Sequence, residues 1–295
     1  MGQRSGVSEN DAARIVRQAL DAGINFIDTA EGYDDSELRL GRALRGIPRD
    51  DYVIATKYMY HGGAETSGSS NPLIDGKTIE AKLDCSLQRL GLDYVDIYQA
   101  HGVLPERYGE VVDQHLPELL RLKETGKVRF LGVTESGSTD KKHRVIRRMA
   151  DDGHFDTAMV TYNMINQNAE RLIFPQCERS GLGVIVMMAV RRALSRPARL
   201  EEVIADLKAS DLIDNDAVPD RDPLAWLVHA DVDSIPAAAY RYALEATAVS
   251  TVLSGTANAE HLVSNISAVD RGPLPRADRK RLQTIFGHLD EGLGN

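Results

Sequence analysis

Short, nearly continuous apolar runs alternate with longer amphipathic stretches along most of the chain. The runs are Ile24–Ile27, Tyr52–Thr56, Tyr94–Tyr98, Val128–Val133, Ala158–Tyr162, Gly183–Met187 and Thr251–Leu253. They are rich in Val, Ile and Tyr and carry no interior proline, which predicts strands. Runs apolar on both faces are typical of a parallel sheet covered on each side. Between them, apolar residues recur three or four apart, the period of a helix. Ile79, Leu83, Leu87 and Leu90 form such a stripe within Thr78–Leu90, and Val112, Leu116, Leu119 and Leu122 another within Val111–Thr125. Further helices are expected over Glu9–Ala22 with Ser8 as its cap, over Ser234–Ala246 with Pro236 in its first turn, and over Asn258–Val269 and Arg276–Leu289. Strand alternating with helix implies parallel pairing with helices outside. The fold class is α/β, a TIM-type (β/α)8 barrel with seven strands evident from sequence, read as one domain over residues 1–295. The first predicted element is a helix, so an eighth strand is expected before it, where only a few residues stand. Tyr60–Pro72 and the acidic Ala209–Pro223 read as loops, the second as a solvated surface segment.

A chain of 295 residues, 42% hydrophobic and 27% charged, is long enough for one large core. Its net charge of −9 argues against nucleic acid as a partner. No run approaches the roughly 20 apolar residues of a membrane helix, and the polar start MGQRSGVSEN has no signal core. The expected location is the cytoplasm. Two cysteines, Cys85 and Cys177, form neither a disulfide framework nor a metal motif, and both read as small buried hydrophobes.

Three strands end in an ionisable residue: Asp28, Lys57 and His101. Tyr33 follows Asp28 in the same loop. The C-terminal strand ends of a β/α barrel carry its chemistry. Each residue alone has a plainer reading: Asp28 as a helix cap, Tyr33 as a surface aromatic, Lys57 as a solvated charge, His101 as a core histidine. Together they make a set fit for carbonyl chemistry. A phenol can give a proton to a carbonyl oxygen, but its ordinary pKa of about 10 makes it a reluctant acid. A lysine beside it is expected to lower that value, a carboxylate keeps the lysine charged, and a neutral imidazole can hold the carbonyl oxygen.

At these residues the chain resembles the aldo-keto reductases. The stretch GINFIDTAEGYDDSELRLGRAL is similar to the family signature, ATK and YQAH to the next two, and GKVRFLGVTES to its Gly-Lys-[Ile/Val]-Arg strand. YNMINQNAERLIFPQCERSGLGVIV is similar to its sixth and seventh strand region and SGTANAEHLVSN to its cofactor-phosphate segment, so the likeness runs from about Glu9 to Val269. The resemblance implies an NAD(P)-dependent enzyme acting on a small aldehyde, ketone or sugar, with Tyr33 as acid/base supported by Asp28, Lys57 and His101, and with no metal. It also implies cofactor contacts from Thr134, Asn163, Met187, Gly255, Thr256, Asn258, His261 and Asn265. The chain departs from the family pattern in four places. The first strand is not seen. The usual Ser-Asn after strand five is Thr134-Glu135. The aromatic of strand seven is Met187, followed by Met188. Thr256, Ala257 and Asn258 stand where a cation would grip a 2′-phosphate, leaving NADP and NAD both open. Arg191 and Arg192 are candidate substitutes for that cation, or surface charges. A cofactor-sensing regulatory subunit on the same fold and a truncated product are the alternatives to an active reductase.

Overall fold

The computed structural model describes residues 8–63, 70–256 and 258–290. The expected eighth strand and the middle of the Tyr60–Pro72 loop lie outside these residues. The described residues group into two compact units. The first comprises those of Met1–Asp140, Arg144–Met159 and Gly255–Ala259. The second comprises those of Lys141–His143, Val160–Ser254 and Glu260–Asn295.

The first unit opens on helix α1 (Glu9–Asp21), capped by Ser8, whose hydroxyl accepts the Asp11 N–H at 3.1 Å. Strand β1 (Phe26–Asp28) leads to α2 (Ser36–Ala43), β2 (Val53–Tyr58) and α3 (Gly76–Leu90). Then follow β3 (Val95–Val103), α4 (Tyr108–Glu124), β4 (Val128–Glu135), α5 (Arg144–Asp152) and β5 (Thr157–Thr161), whose last residues fall in the second unit. The strands pair parallel in chain order: Asp28 stands beside Ala55, Lys57 beside Gln99, and Gln99 beside Gly132. Parallel pairing puts the C-terminal ends of β1, β2 and β3 at one edge.

Apolar stripes account for the helices. Ile79, Leu83, Leu87 and Leu90 of α3 are buried, each such side chain contributing about 1.5–3 kcal/mol. Helix α3 starts two residues before the expected Thr78, capped by Asp75, which accepts the Thr78 N–H at 2.8 Å. The buried face of α4 includes the expected Leu119 and Leu122, but Val111 and His115 take the places expected of Val112 and Leu116. His115 is tolerated there because both ring nitrogens are engaged, with Tyr58 Oη at 3.2 Å and the Ile74 carbonyl at 2.9 Å. Cys85 on α3 is exposed, against expectation, because it lies off that helix's apolar stripe; Cys177 is buried.

The second unit holds α6 (Asn168–Leu172), α7 (Phe174–Ser180), β6 (Gly183–Met187), α8 (Arg192–Ser195), α9 (Pro197–Ala209), α10 (Ile235–Leu244), β7 (Val249–Val252), α11 (Ala259–Asp270) and α12 (Arg276–Phe286). Strands β6 and β7 pair parallel. Ser234 caps α10 through the Ala237 N–H at 3.2 Å, with Pro236 in the first turn as expected. The acidic loop after α9 is more than a solvated segment. Lys208 donates to the Val218 carbonyl at 2.7 Å and pairs with Asp220 at 2.6 Å, tying the loop to the helix. Among the described residues no helix is long and apolar enough to cross a membrane.

Candidate active site

The four residues singled out for carbonyl chemistry all lie in the first unit, at the C-terminal edge of β1–β3. Asp28 is the last residue of β1, and Lys57 is the second-last of β2. The Lys57 ammonium donates to Asp28 Oδ2 at 2.6 Å and to the Thr29 carbonyl at 2.7 Å, and its side chain is wholly buried. Tyr33 sits on the loop from β1 to α2. Its N–H bonds back to the Ala30 carbonyl, and its own carbonyl takes the Ser36 N–H, so the residue is held between two tight turns. Buried Glu37 fastens α2 below it by accepting the Thr56 hydroxyl and the Arg89 guanidinium, both at 2.6 Å. The Lys57 nitrogen stands 5.0 Å from the Tyr33 ring centroid, and the Tyr33 and His101 rings meet edge to face at 5.7 Å.

His101 lies inside β3 rather than past its end, because the strand continues to Val103. The register with β4 shifts between Ala100 and Val103, and Gly102 adopts a φ of +66°, a backbone that favours glycine. Thr134 Oγ1 accepts the Gly102 N–H at 2.6 Å and so fastens this irregularity next to His101.

Burial dominates the electrostatics. It pushes the Asp28 carboxyl up and the Lys57 ammonium down, each shift opposed by the partner's charge. The 2.6 Å contact is that of an ion pair. Tyr33 is 40% exposed, yet desolvation of its hydroxyl and the Asp28 charge push that group up to about 12. The expected lowering by Lys57 does not prevail, since the ammonium faces the ring and spends its charge on Asp28. His101 is pushed down to about 4, first by burial and then by Lys57, so its imidazole is neutral at pH 7.

The residues expected to meet a cofactor fall in both units. In the first, Thr134 is buried, while Gly255 and Asn258 are exposed. The Thr256 hydroxyl accepts the Asn258 N–H at 3.0 Å and makes a local turn. In the second, Met187 ends β6 partly exposed. Met188 takes a φ of +64°, unusual for a side chain of its size. Buried Asn163 pins it by donating to the Met188 carbonyl at 3.1 Å, while its Oδ1 accepts the N–H groups of Ile165 and Asn166. Asn163 is therefore engaged with backbone. Exposed His261 lies on α11, and Asn265 donates to Ser254 Oγ at 3.1 Å. Arg191 is half-buried and Arg192 exposed.

Sequence reasoning passed over three polar groups at this edge: the Thr29 carbonyl, Glu37 and Gln99. Gln99 had a signal, being an amide within the otherwise apolar end of the run YVDIYQA. A separate cavity of about 310 Å³ opens in the second unit beside α8, α9 and the start of α10, and none of the expected catalytic or cofactor residues lines it.

The description of the aldo/keto reductase family matches residues 1–286. The chain is similar to L-galactose dehydrogenase of Arabidopsis thaliana, 28% identical over 96% of this chain and 86% of that protein. It is also similar to an NADH-specific methylglyoxal reductase of Escherichia coli, 30% identical over 61% of this chain and 56% of that protein. Among solved structures it is similar to an aldo-keto reductase from Bacillus halodurans in its holo form, with a TM-score of 0.72 and 24% identity over 94% of this chain and 88% of that one. An aldo-keto reductase from Klebsiella pneumoniae in complex with NADPH gives a TM-score of 0.67 and 22% identity over 97% and 89%. These likenesses show the fold class, the TIM-type (β/α)8 barrel.

Proposed function

Because this chain belongs to the aldo/keto reductase family, we propose that it is an NAD(P)-dependent oxidoreductase moving a hydride between nicotinamide and a small aldehyde, ketone or sugar, with Tyr33 as general acid/base. The observation that carries this reading is the grouping of phenol, ammonium, carboxylate and imidazole at one strand edge, with Lys57 5.0 Å from the Tyr33 ring and Tyr33 5.7 Å from His101. The likeness to a sugar dehydrogenase and to a methylglyoxal reductase supports the substrate class.

The chain's own residues suit the cofactor. A Cβ added to Gly255 would meet nothing within 4 Å, so backbone lies open before α11, and a helix N-terminus favours a phosphate. Gly255, Thr256 and Asn258 would hold the phosphate end, and Thr134 of the same unit would face the nicotinamide. When bound, the nicotinamide supplies or accepts the hydride.

In reduction the Tyr33 hydroxyl donates its proton to the carbonyl oxygen, and Lys57 stabilises the phenolate left behind. Asp28 keeps Lys57 charged. Neutral His101 donates a ring N–H to the same oxygen and orients it. A phenol with a pKa near 12 is protonated throughout the neutral range, as an acid must be. In the oxidative direction Tyr33 must first lose that proton, so turnover rises with alkalinity.

The test is a titration with NADH and with NADPH, then an assay over small aldehydes and sugars. Turnover that disappears in Tyr33→Phe supports the reading. Tight cofactor binding without turnover on any substrate would favour a cofactor-sensing subunit instead.

A further inference from the structure

Gln99 stands on β3 between Lys57 of β2 and Gly132 of β4 in the strand register. It is fully buried, and neither Oε1 nor Nε2 makes a hydrogen bond to another described residue. Asp28 Oδ1 is likewise buried without a partner, while Oδ2 of the same carboxylate holds Lys57. The amide is close enough to Asp28 to draw its carboxyl pKa down against the effect of burial. Gly132 explains how a side chain this long fits. A Cβ there would lie 2.9 Å from Gln99 Cγ and closer still to Thr157 Oγ1. Two buried polar groups of complementary kind, each short of a hydrogen bond and both next to Lys57, belong together.

We propose that Gln99 is a positioning residue for the chemistry inferred above: its amide N–H is donated to Asp28 Oδ1, which turns Oδ2 toward Lys57 and holds the ammonium over the Tyr33 ring. Gln99 touches no reacting atom and acts through Asp28. The sequence of contacts is Gln99 to Asp28, Asp28 to Lys57, Lys57 to Tyr33. The inference rests on the oxidoreductase reading for its consequence, but its first link is a property of the unliganded chain.

The experiment compares wild type with Gln99→Met, of similar length but without an amide, and with Gln99→Asn, whose amide is one methylene short. Thr157→Val, which alters the other side chain that crowds Gly132, serves as the packing control. Carbon-13 NMR of the Asp28 carboxyl, assigned by Asp28→Asn, reads the first link without activity. Both Gln99 variants should titrate Asp28 at higher pH than wild type, and Thr157→Val should not. In the oxidation of a substrate alcohol, the alkaline-rising limb should move up by about one pH unit in Gln99→Met, an approximately tenfold loss at fixed pH below the limb. KM and cofactor affinity should stay within about twofold. An unmoved Asp28 titration in folded Gln99 variants overturns the inference even if the wild type turns over substrate. A moved titration in a wild-type background that reduces nothing sustains this inference and removes the oxidoreductase reading. A uniform loss of activity at every pH, with the limb in place, marks Gln99 as packing alone and overturns it as well.

Discussion

Asp28, half-buried, and Asp96, buried, are carboxylates of the same parallel strand set, placed at opposite strand ends, and their partners differ in kind. Asp96, near the start of β3, is saturated. Its Oδ2 takes Arg49 at 2.5 Å and the Ile54 N–H at 2.8 Å, and its Oδ1 takes Arg129 at 3.0 Å. Asp28, at the end of β1, holds a single lysine on one oxygen and, on the inference above, a single neutral amide on the other. A carboxylate held by two guanidinium groups and a backbone N–H ties three segments together. One held by a lysine and a neutral amide keeps its charge directed at one cation. In barrels of this class the N-terminal strand ends serve stability and the C-terminal ends serve chemistry, and on the function proposed above the two aspartates divide along that line.

Substitutions at the two ends should therefore fail in different assays. The largest effect is expected at the C-terminal edge: Tyr33→Phe should lower kcat by about 10²–10⁴-fold, the usual worth of a positioned acid, with cofactor affinity unchanged in a fluorescence titration. Asp28→Asn should follow it in activity, because a buried Lys57 without its anion gives up its proton and no longer stabilises the phenolate. Asp96→Asn should do the reverse. It leaves two guanidinium groups underused and should cost about 2–4 kcal/mol in chemical denaturation, while each folded molecule keeps wild-type kcat. An Asp96 variant that lost activity without losing stability would erase the contrast.

pH sharpens the same comparison. The Tyr33 hydroxyl near 12 means that oxidation should climb with pH up to the limit of the fold, while reduction stays flat through the neutral range. His101, neutral above about 4, should make reduction fall only as pH drops through that value, read from kcat/KM profiles. The smallest effect serves as a control far from both carboxylates in the chain. Ser234→Ala removes the cap of α10 and should cost about 1 kcal/mol by melting curves, with no kinetic change.

The strand runs were legible because burial on both faces leaves few polar residues to blur them; Gly183–Met187 matched strand β6 at both ends, and the others shifted by one to five residues at an end. Helix α9 escaped notice although Leu200, Val203, Ile204 and Leu207 carry a helical spacing and Pro197 stands at its first position. Short helices such as α6 and α8 are held by their surroundings and leave little periodic signal. At the site, the ionisable residues stood out because strand ends are where charge is conspicuous. The acidity of Tyr33 was misjudged from the residue types alone. Whether a lysine lowers a phenol depends on which face it approaches and on what else claims its charge, and neither is written in the order of residues. The role of Thr134 in bracing Gly102 was equally hidden, since it needs the register slip between β3 and β4 to exist.

The unequal placement of the two thiols has a practical use. With Cys177 sealed in the interior and Cys85 facing solvent on α3, a maleimide dye should attach to the native chain at one address. The protein thus comes with a ready handle for single-molecule or anisotropy measurements of ligand binding, and no cysteine need be engineered in or out.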